Sequence, residues 1–202
     1  MKTLNEGFKL KTGSVFPSLG LGTMMLNGDT CIQTIKRATE LGYRFIDTAL
    51  SYYNEAEVGK AVRECKIPRD QLFVETKLWN MGSPAIFKYG KEAVRQKTVE
   101  VVERQLSAIG LDYIDSMLIH FPHPGDPAVN LVCSDEVQWS VLEEYYKAGK
   151  IKHIGVSNYE IRHFEELKKT AEILPMINQI EFHVGYQQSE LVDYCHANGI
   201  VV

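Results

Sequence analysis

The sequence has few of the features that would assign it to a specialised class of protein. Its four cysteines, Cys31, Cys65, Cys133 and Cys195, are widely spaced and form no C-x-x-C pair. This spacing indicates neither a disulfide framework nor a zinc site. We therefore interpret the thiols as reduced packing residues and expect no bound metal.

A strong charge and a long apolar run are also lacking. The formal net charge is only -4 and the basic residues are dispersed, which argues against a nucleic-acid footprint or a polybasic membrane patch. No apolar run approaches the ~20 residues that span a bilayer, and "MKTLNEGFKLKTG" at the N-terminus has no apolar signal-peptide core. We expect a cytoplasmic monomer that acts on a small molecule, without nucleic-acid or membrane partners.

The hydrophobic pattern, in contrast, is regular. After a small hairpin predicted around Thr12 and Gly13, short apolar runs alternate with segments of helical period. The predicted strands are 19–24, 44–49, 72–79, 112–120, 151–158, 176–183 and 199–202. This alternation predicts βα units around a parallel sheet, and the lack of a linker predicts a single domain over residues 1–202. A doubly wound sheet and a (β/α) barrel both satisfy the pattern.

The positions of polar residues favour the barrel. A doubly wound dinucleotide fold would carry G-x-G-x-x-G after its first strand, whereas "LGLGTMMLNG" contains only G-x-G. In "FVETKLW", Glu75 and Lys77 share one face of the strand, and Val74 and Thr76 share the other. A covered open sheet needs two apolar faces, whereas the inner face of a barrel carries catalytic groups at its carboxyl rim.

The same alternation on the neighbouring strands places Asp47, His120 and His153 on the inner face with Lys77. Of these residues, Asp47, Lys77 and His120 form a candidate site. Taken singly, each has a simpler explanation, since aspartates often end strands at turns, lysines extend to solvent and histidines are often structural. Charged groups in one confined volume are costly unless they pair or take part in chemistry. The same placement on several strands therefore favours a functional site.

Several segments, in this order, resemble the aldo-keto reductase family: "GLGT", "RFIDTALSYYNE", "ETKLW", "LDYIDSMLIHFP", "IKHIGVSNY" and "NQIEFH". The resemblance extends over nearly the whole chain. It implies a (β/α)8 TIM barrel with an N-terminal β-hairpin. It also implies an oxidoreductase that reduces aldehydes and ketones to alcohols by hydride transfer from NADPH, with NADH as the alternative cofactor.

The resemblance also implies roles for individual residues. The catalytic residues would be Asp47, Tyr52, Lys77 and His120, with Tyr52 as the proton donor and Tyr53 as a packing neighbour. Cofactor contacts would fall to Thr23, Asp47, Ser157, Asn158 and Gln179, and substrate-pocket positions to Met24, Trp79 and Phe121.

These residue types suit the implied chemistry. A tyrosine has an ordinary pKa of about 10, so a neighbouring cation is needed to make it an effective proton donor. Lys77 would be that cation, and Asp47 would hold it in place and offset the cost of its burial. His120 would orient the carbonyl oxygen of the substrate.

The resemblance also leads us to expect that residues 1–202 are part of a longer reductase. The family's eighth strand and C-terminal segment, which includes the residues that bind the adenosine phosphate, have no counterpart in the sequence. Two long loops, at 79–94 and 121–136, would border the substrate pocket. The alternative is a catalytically inactive or regulatory protein that keeps the barrel.

Overall fold

A computed structural model describes residues 6–79, 90–123 and 133–202 of the chain. Most of the two long loops predicted at 79–94 and 121–136 lies outside these ranges. The chain begins with the predicted hairpin, in which β1 (Gly7–Lys9) pairs antiparallel with β2 (Val15–Pro17).

Six parallel strands follow, and their order in the sheet is their order in the sequence. They are β3 (Gly20–Gly22), β4 (Phe45–Asp47), β5 (Phe73–Leu78), β6 (Ile114–Ile119), β7 (Ile151–Ser157) and β8 (Asn178–Gln179). A parallel bridge between Ile177 and Val201 adds the start of a seventh neighbour. Every predicted strand is therefore present, although β8 is only two residues long and the final one is reduced to this bridge.

Within the described ranges, an α-helix lies between each pair of consecutive parallel strands, as expected for βα units. The helices are α1 (Gly28–Glu40), α2 (Glu55–Glu64), α3 (Gly90–Ile109), α4 (Cys133–Lys147), α5 (Ile161–Leu167) and α6 (Ser189–Ala197). Of the helices in the described ranges, none is long and apolar enough to cross a membrane.

The sheet buries its two faces in different ways. On the outer face, alternate strand residues such as Ile46 and Val74 pack under the helices against Ile35 and Val58. On the inner face, the rings of Phe45 and Phe73 meet Phe16 of the hairpin edge to face, with centroid distances of 5.0 and 4.9 Å. The hairpin therefore covers the amino end of the inner face.

The carboxyl end of the inner face is polar. Glu75, Lys77 and Ser116 are completely buried there. A doubly wound sheet would have helices and apolar residues on both faces. The parallel six-stranded sheet, with helices outside and polar groups inside, confirms the barrel-type fold.

Candidate active site

A buried ion pair lies at the carboxyl end of β4 and β5. The side chain of Lys77 is only 1% exposed, and its Nζ forms an ion pair with Oδ1 of Asp47. The same ammonium donates a hydrogen bond to the backbone oxygen of Thr48 at 3.1 Å. A buried ammonium without such partners would be strongly destabilising. These two contacts therefore stabilise the lysine charge and hold it at one position.

The two adjacent tyrosines have different environments. The chain leaves β4 through a 3-10 turn, Leu50–Tyr52, and Tyr53 ends it in the left-handed region with φ 56°. Tyr53 is 88% exposed, whereas Tyr52 is half-buried and its ring centroid lies 5.2 Å from Nζ of Lys77. The structure therefore brings Tyr52, and not Tyr53, to the buried cation.

Asn54 fixes the geometry of this turn, a role that the sequence pattern did not indicate. Its buried Nδ2 donates to the backbone oxygens of Thr23 and Leu26, both at 2.8 Å, and its Oδ1 accepts from Thr48 Oγ1 at 2.6 Å. Asn54 thus joins the loops that follow β3 and β4. The only sequence signal for it was its place in the motif that supplied Tyr52.

His120 follows β6 and lies in an aromatic environment. Its ring meets the rings of Tyr52 and Trp79 edge to face, with centroid distances of 5.9 and 5.3 Å. It also stacks on the ring of Phe121 with a centroid distance of 4.9 Å. Burial and the charge of Lys77 lower the pKa of His120 to about 4. The imidazole is therefore uncharged at neutral pH. Its buried Nδ1 has no hydrogen-bond partner among the described residues.

Three amide and hydroxyl side chains line the neighbouring rim. Asn158, in the left-handed region with φ 62°, donates from Nδ2 to the backbone oxygen of His120 at 2.9 Å and to Ser157 Oγ at 3.1 Å. Ser157 Oγ donates to the backbone oxygen of Gln179 at 2.8 Å. The side-chain Nε2 of Gln179 donates to Oε1 of Glu75 at 3.2 Å.

This rim has the chemistry needed to hold a carboxamide. The N–H and O–H donors of Ser157, Asn158 and Gln179 are used within the protein. Within the described ranges, Oδ1 of Asn158 and Oε1 of Gln179 accept no hydrogen bond from the protein, and amide oxygens are the acceptors that a carboxamide NH2 group requires. The residues present therefore fit a nicotinamide carboxamide.

The other predicted ligand-binding positions are more dispersed. Thr23 is completely buried, and its hydroxyl donates to the backbone oxygen of Asp47 at 2.9 Å, so it also holds the end of β4. The rings of Trp79 and Phe121 meet with a centroid distance of 5.7 Å, and the two residues are 42% and 39% exposed. Met24, on the loop after β3, is 62% exposed.

Glu75 is a further member of this cluster for which the sequence suggested no role. It is completely buried, and it accepts hydrogen bonds from Ser116 Oγ and Gln179 Nε2. Burial and the charge of Asp47 raise the pKa of Glu75 to about 8. Strand alternation placed Glu75 on the inner face but could not show which residues of distant strands meet it.

Comparisons with known proteins show the family to which the chain belongs. The model of the Aldo/keto reductase family matches residues 18–202. Glyoxal reductase of Bacillus subtilis is 39% identical over 201 residues, which cover 98% of this chain and 66% of that protein. Methylglyoxal reductase DkgA of Escherichia coli is 39% identical over 184 residues, covering 91% of this chain and 60% of that protein. A crystal structure of an aldo/keto reductase from Brucella melitensis superposes with a TM-score of 0.83 at 34% identity, over 96% of this chain and 69% of that one.

The chain therefore belongs to the aldo/keto reductase family, as the ordered motifs predicted. It spans about two thirds of the length of the glyoxal reductase and somewhat less of the methylglyoxal reductase.

Proposed function

We propose that the protein is an oxidoreductase that reduces aldehydes and ketones to alcohols with NADPH, or NADH, within a single barrel domain. The observation that carries the proposal is the Lys77–Asp47 ion pair buried beneath Tyr52, with uncharged His120 beside the same ring. Two relatives are named glyoxal reductase and methylglyoxal reductase, which makes these small aldehydes the first substrates to test.

In this proposal the cofactor is held by residues of the rim. The acceptor oxygens of Asn158 and Gln179, together with Ser157, would bind the nicotinamide carboxamide, and Thr23 and Asp47 would lie near its ribose. The bound reduced nicotinamide supplies the hydride that reaches the carbonyl carbon. Met24, Trp79 and Phe121 would border the substrate and keep water from the reacting carbonyl.

The residues of the chain then manage the charge and the proton. Negative charge builds on the carbonyl oxygen, and Tyr52 transfers its phenolic proton to that oxygen. The ammonium of Lys77 stabilises the phenolate that remains, and Asp47 keeps the ammonium in position. His120 is uncharged at neutral pH, so it orients the carbonyl oxygen by a hydrogen bond without adding a second cation.

The two adjacent tyrosines provide a matched test. We expect the intact protein to oxidise NADPH in the presence of methylglyoxal, and Tyr52→Phe to lower kcat by roughly 10²- to 10⁴-fold. Tyr53→Phe removes the same hydroxyl from an exposed ring and should leave kcat unchanged. Equal losses in both variants would contradict the assignment of Tyr52.

Cofactor choice is tested in the same assay by replacing NADPH with NADH. Quenching of tryptophan fluorescence by NADPH gives an independent measure of binding. Binding without turnover of any aldehyde would favour the regulatory alternative over the reductase.

A further inference from the structure

Glu75 is a buried ionisable group with no part in the mechanism above. Its backbone pairs with Asp47 on β4 and with Ser116 on β6. Its two carboxyl oxygens accept hydrogen bonds from Ser116 Oγ and from Nε2 of Gln179 on β8. The carboxyl group thus connects β5 with two other strands, β6 and β8, on the inner face.

The charges around this group leave one cation for two acids. Asp47 and Glu75 lie side by side, and among the described residues the charged groups that bear on Glu75 are Asp47 from β4 and Lys77 from its own strand. Ser116 from β6 and Gln179 from β8 are uncharged. The ammonium of Lys77 is bonded to Asp47, and no hydrogen bond joins it to Glu75 among the described residues. Two adjacent buried acids with one counter-ion hold a proton between them.

The structure indicates which acid holds that proton. Glu75 lies directly opposite Asp47 on the neighbouring strand, and two carboxyl groups can share a hydrogen bond only if one of them is protonated. Asp47 forms the ion pair with Lys77. Glu75 is completely buried, so its ionised form would lose all contact with water.

We propose that Glu75 is a positioning residue of the reductase: as a neutral carboxylic acid it donates to Asp47 and, through Gln179, connects the rim that holds the cofactor to the Lys77–Asp47 pair. This inference rests on the proposed function. The neutral acid orients Asp47 and leaves Lys77 with a single counter-ion.

Ionisation of Glu75 would change the charge felt by Tyr52. A second carboxylate beside Lys77 would offset more of its positive charge and make the phenolate of Tyr52 harder to form. Because the pKa of Glu75 is raised to about 8, kcat should fall as pH rises through this value.

Glu75→Gln tests this, because an amide keeps an acceptor for Gln179 and a donor for Asp47 but cannot ionise. We expect the variant to lose the alkaline fall and to retain more of the neutral-pH kcat than a variant that lacks both hydrogen bonds. Glu75→Leu removes both hydrogen bonds and should lower kcat about 10- to 100-fold and raise the KM for NADPH. A residue with only a structural role would leave the alkaline fall in place in Glu75→Gln, and that result would overturn the proposal.

A second measurement does not depend on turnover. Infrared difference spectra between mildly acidic and alkaline pH should contain the carbonyl band of a protonated carboxylic acid, and removing its donor in Ser116→Ala should shift this band. If neither Ser116→Ala nor Glu75→Gln alters any such band, Glu75 is ionised and the proposal is wrong. If the protein reduces no aldehyde at any pH, the proposed function and the positioning role both fail, while the band still reports whether Glu75 is neutral.

Discussion

The two ends of the six-stranded sheet carry similar sets of four side chains, which differ in type only by a lysine at one end and an arginine at the other. At the carboxyl end these are Asp47, Lys77, Tyr52 and His120, and at the amino end they are Asp115, Arg69, Tyr113 and His153. Each end therefore has an acid paired with a cation, a tyrosine ring near the cation, and a histidine. The ends differ in how far the protein itself uses their polar atoms.

At the amino end most of the polar atoms are used to build the fold, and the buried Nε of Arg69 is the exception among these four side chains. Nη2 of Arg69 donates to Asp115 Oδ2 at 2.6 Å, and its guanidinium lies 4.1 Å from the centroid of the Tyr113 ring. Asp115 also accepts from the backbone N–H of Val74 at 2.9 Å. Both ring nitrogens of His153 have partners: Nδ1 contacts the backbone oxygen of Asp115 at 2.7 Å, and Nε2 contacts Thr12 Oγ1 at 3.1 Å.

At the carboxyl end, polar atoms remain for a ligand. Within the described ranges, Nδ1 of His120 has no partner, and the amide oxygens of Asn158 and Gln179 accept no bond. A cavity of about 740 Å3 lies at the other end, bordered in part by Tyr113 and His153, so the presence of a cavity does not by itself mark the catalytic end. Residue type and the presence of a cavity therefore do not define this site. What distinguishes it within the described ranges is a set of unused acceptors, the amide oxygens of Asn158 and Gln179, near the buried ammonium of Lys77.

The largest difference between the ends should come from replacing the two cations. Lys77→Met removes the charge that stabilises the Tyr52 phenolate, and we expect kcat/KM to fall about 10³-fold or more. Arg69→Met removes the partner of Asp115 and should lower the free energy of unfolding by roughly 2–4 kcal/mol while kcat is retained. Steady-state kinetics and urea unfolding of both variants measure the contrast. Comparable losses of kcat in the two folded variants would show that the ends are not functionally distinct.

Strand alternation in the sequence predicts only part of this contrast between the two ends. Alternation assigned Asp47, Lys77 and His120 correctly to one face, because a period of two residues needs no knowledge of other strands. It also put His153 on that face, although His153 lies at the amino end beside the hairpin. Alternation gives the face of a residue but not its height along the barrel.

Two other features depended on geometry that periodicity does not contain. Tyr52 and Tyr53 are distinguished by a 3-10 turn and one left-handed residue, and only the family resemblance selected Tyr52 beforehand. The contact of Glu75 with Gln179 joins residues 104 positions apart. Such contacts depend on strand order and register, which the sequence pattern predicts only in outline.

The second-largest effect concerns the acids, which should respond in opposite directions. The pKa of Glu75 is raised to about 8, so between its unfolded pKa and pH 8 the native state holds a proton that the unfolded state has lost. Stability therefore falls as pH rises through this window, and Glu75→Gln should remove this slope, which raises the free energy of unfolding near pH 8 by roughly 2–4 kcal/mol. Asp115→Asn should instead lower the free energy of unfolding, because Arg69 loses its counter-ion. Urea unfolding across pH checks both signs, and a slope unchanged in Glu75→Gln would argue against a neutral Glu75.

The histidines should differ by a smaller amount. His120→Gln should lower kcat by about 10- to 100-fold, since it replaces the group that orients the carbonyl oxygen, whereas His153→Gln should leave kcat unchanged.

The pKa of His120 is lowered to about 4, so between that value and its unfolded pKa only the unfolded state binds a proton. Stability contributed by neutral His120 is therefore lost as pH falls through this window, and His120→Gln should flatten that decline. An acid limb in the kcat profile near the ordinary histidine pKa that disappears in His120→Gln would contradict a neutral, buried imidazole.

The smallest contrast involves one threonine hydroxyl at each end. Thr12 Oγ1 contacts Nε2 of His153 at 3.1 Å and attaches the hairpin to the sheet, whereas Thr23 Oγ1 donates to the backbone oxygen of Asp47 at 2.9 Å. Replacing either by valine removes one hydrogen bond, so each should lower the free energy of unfolding by about 0.5–1.5 kcal/mol. Only Thr23→Val should also lower kcat, because Asp47 is the residue that holds the Lys77 ammonium. Thermal unfolding compared with kcat at one pH measures the pair. A fall in kcat for Thr12→Val as large as that for Thr23→Val would mean that the hairpin end is coupled to the catalytic end, and the division between them would not hold.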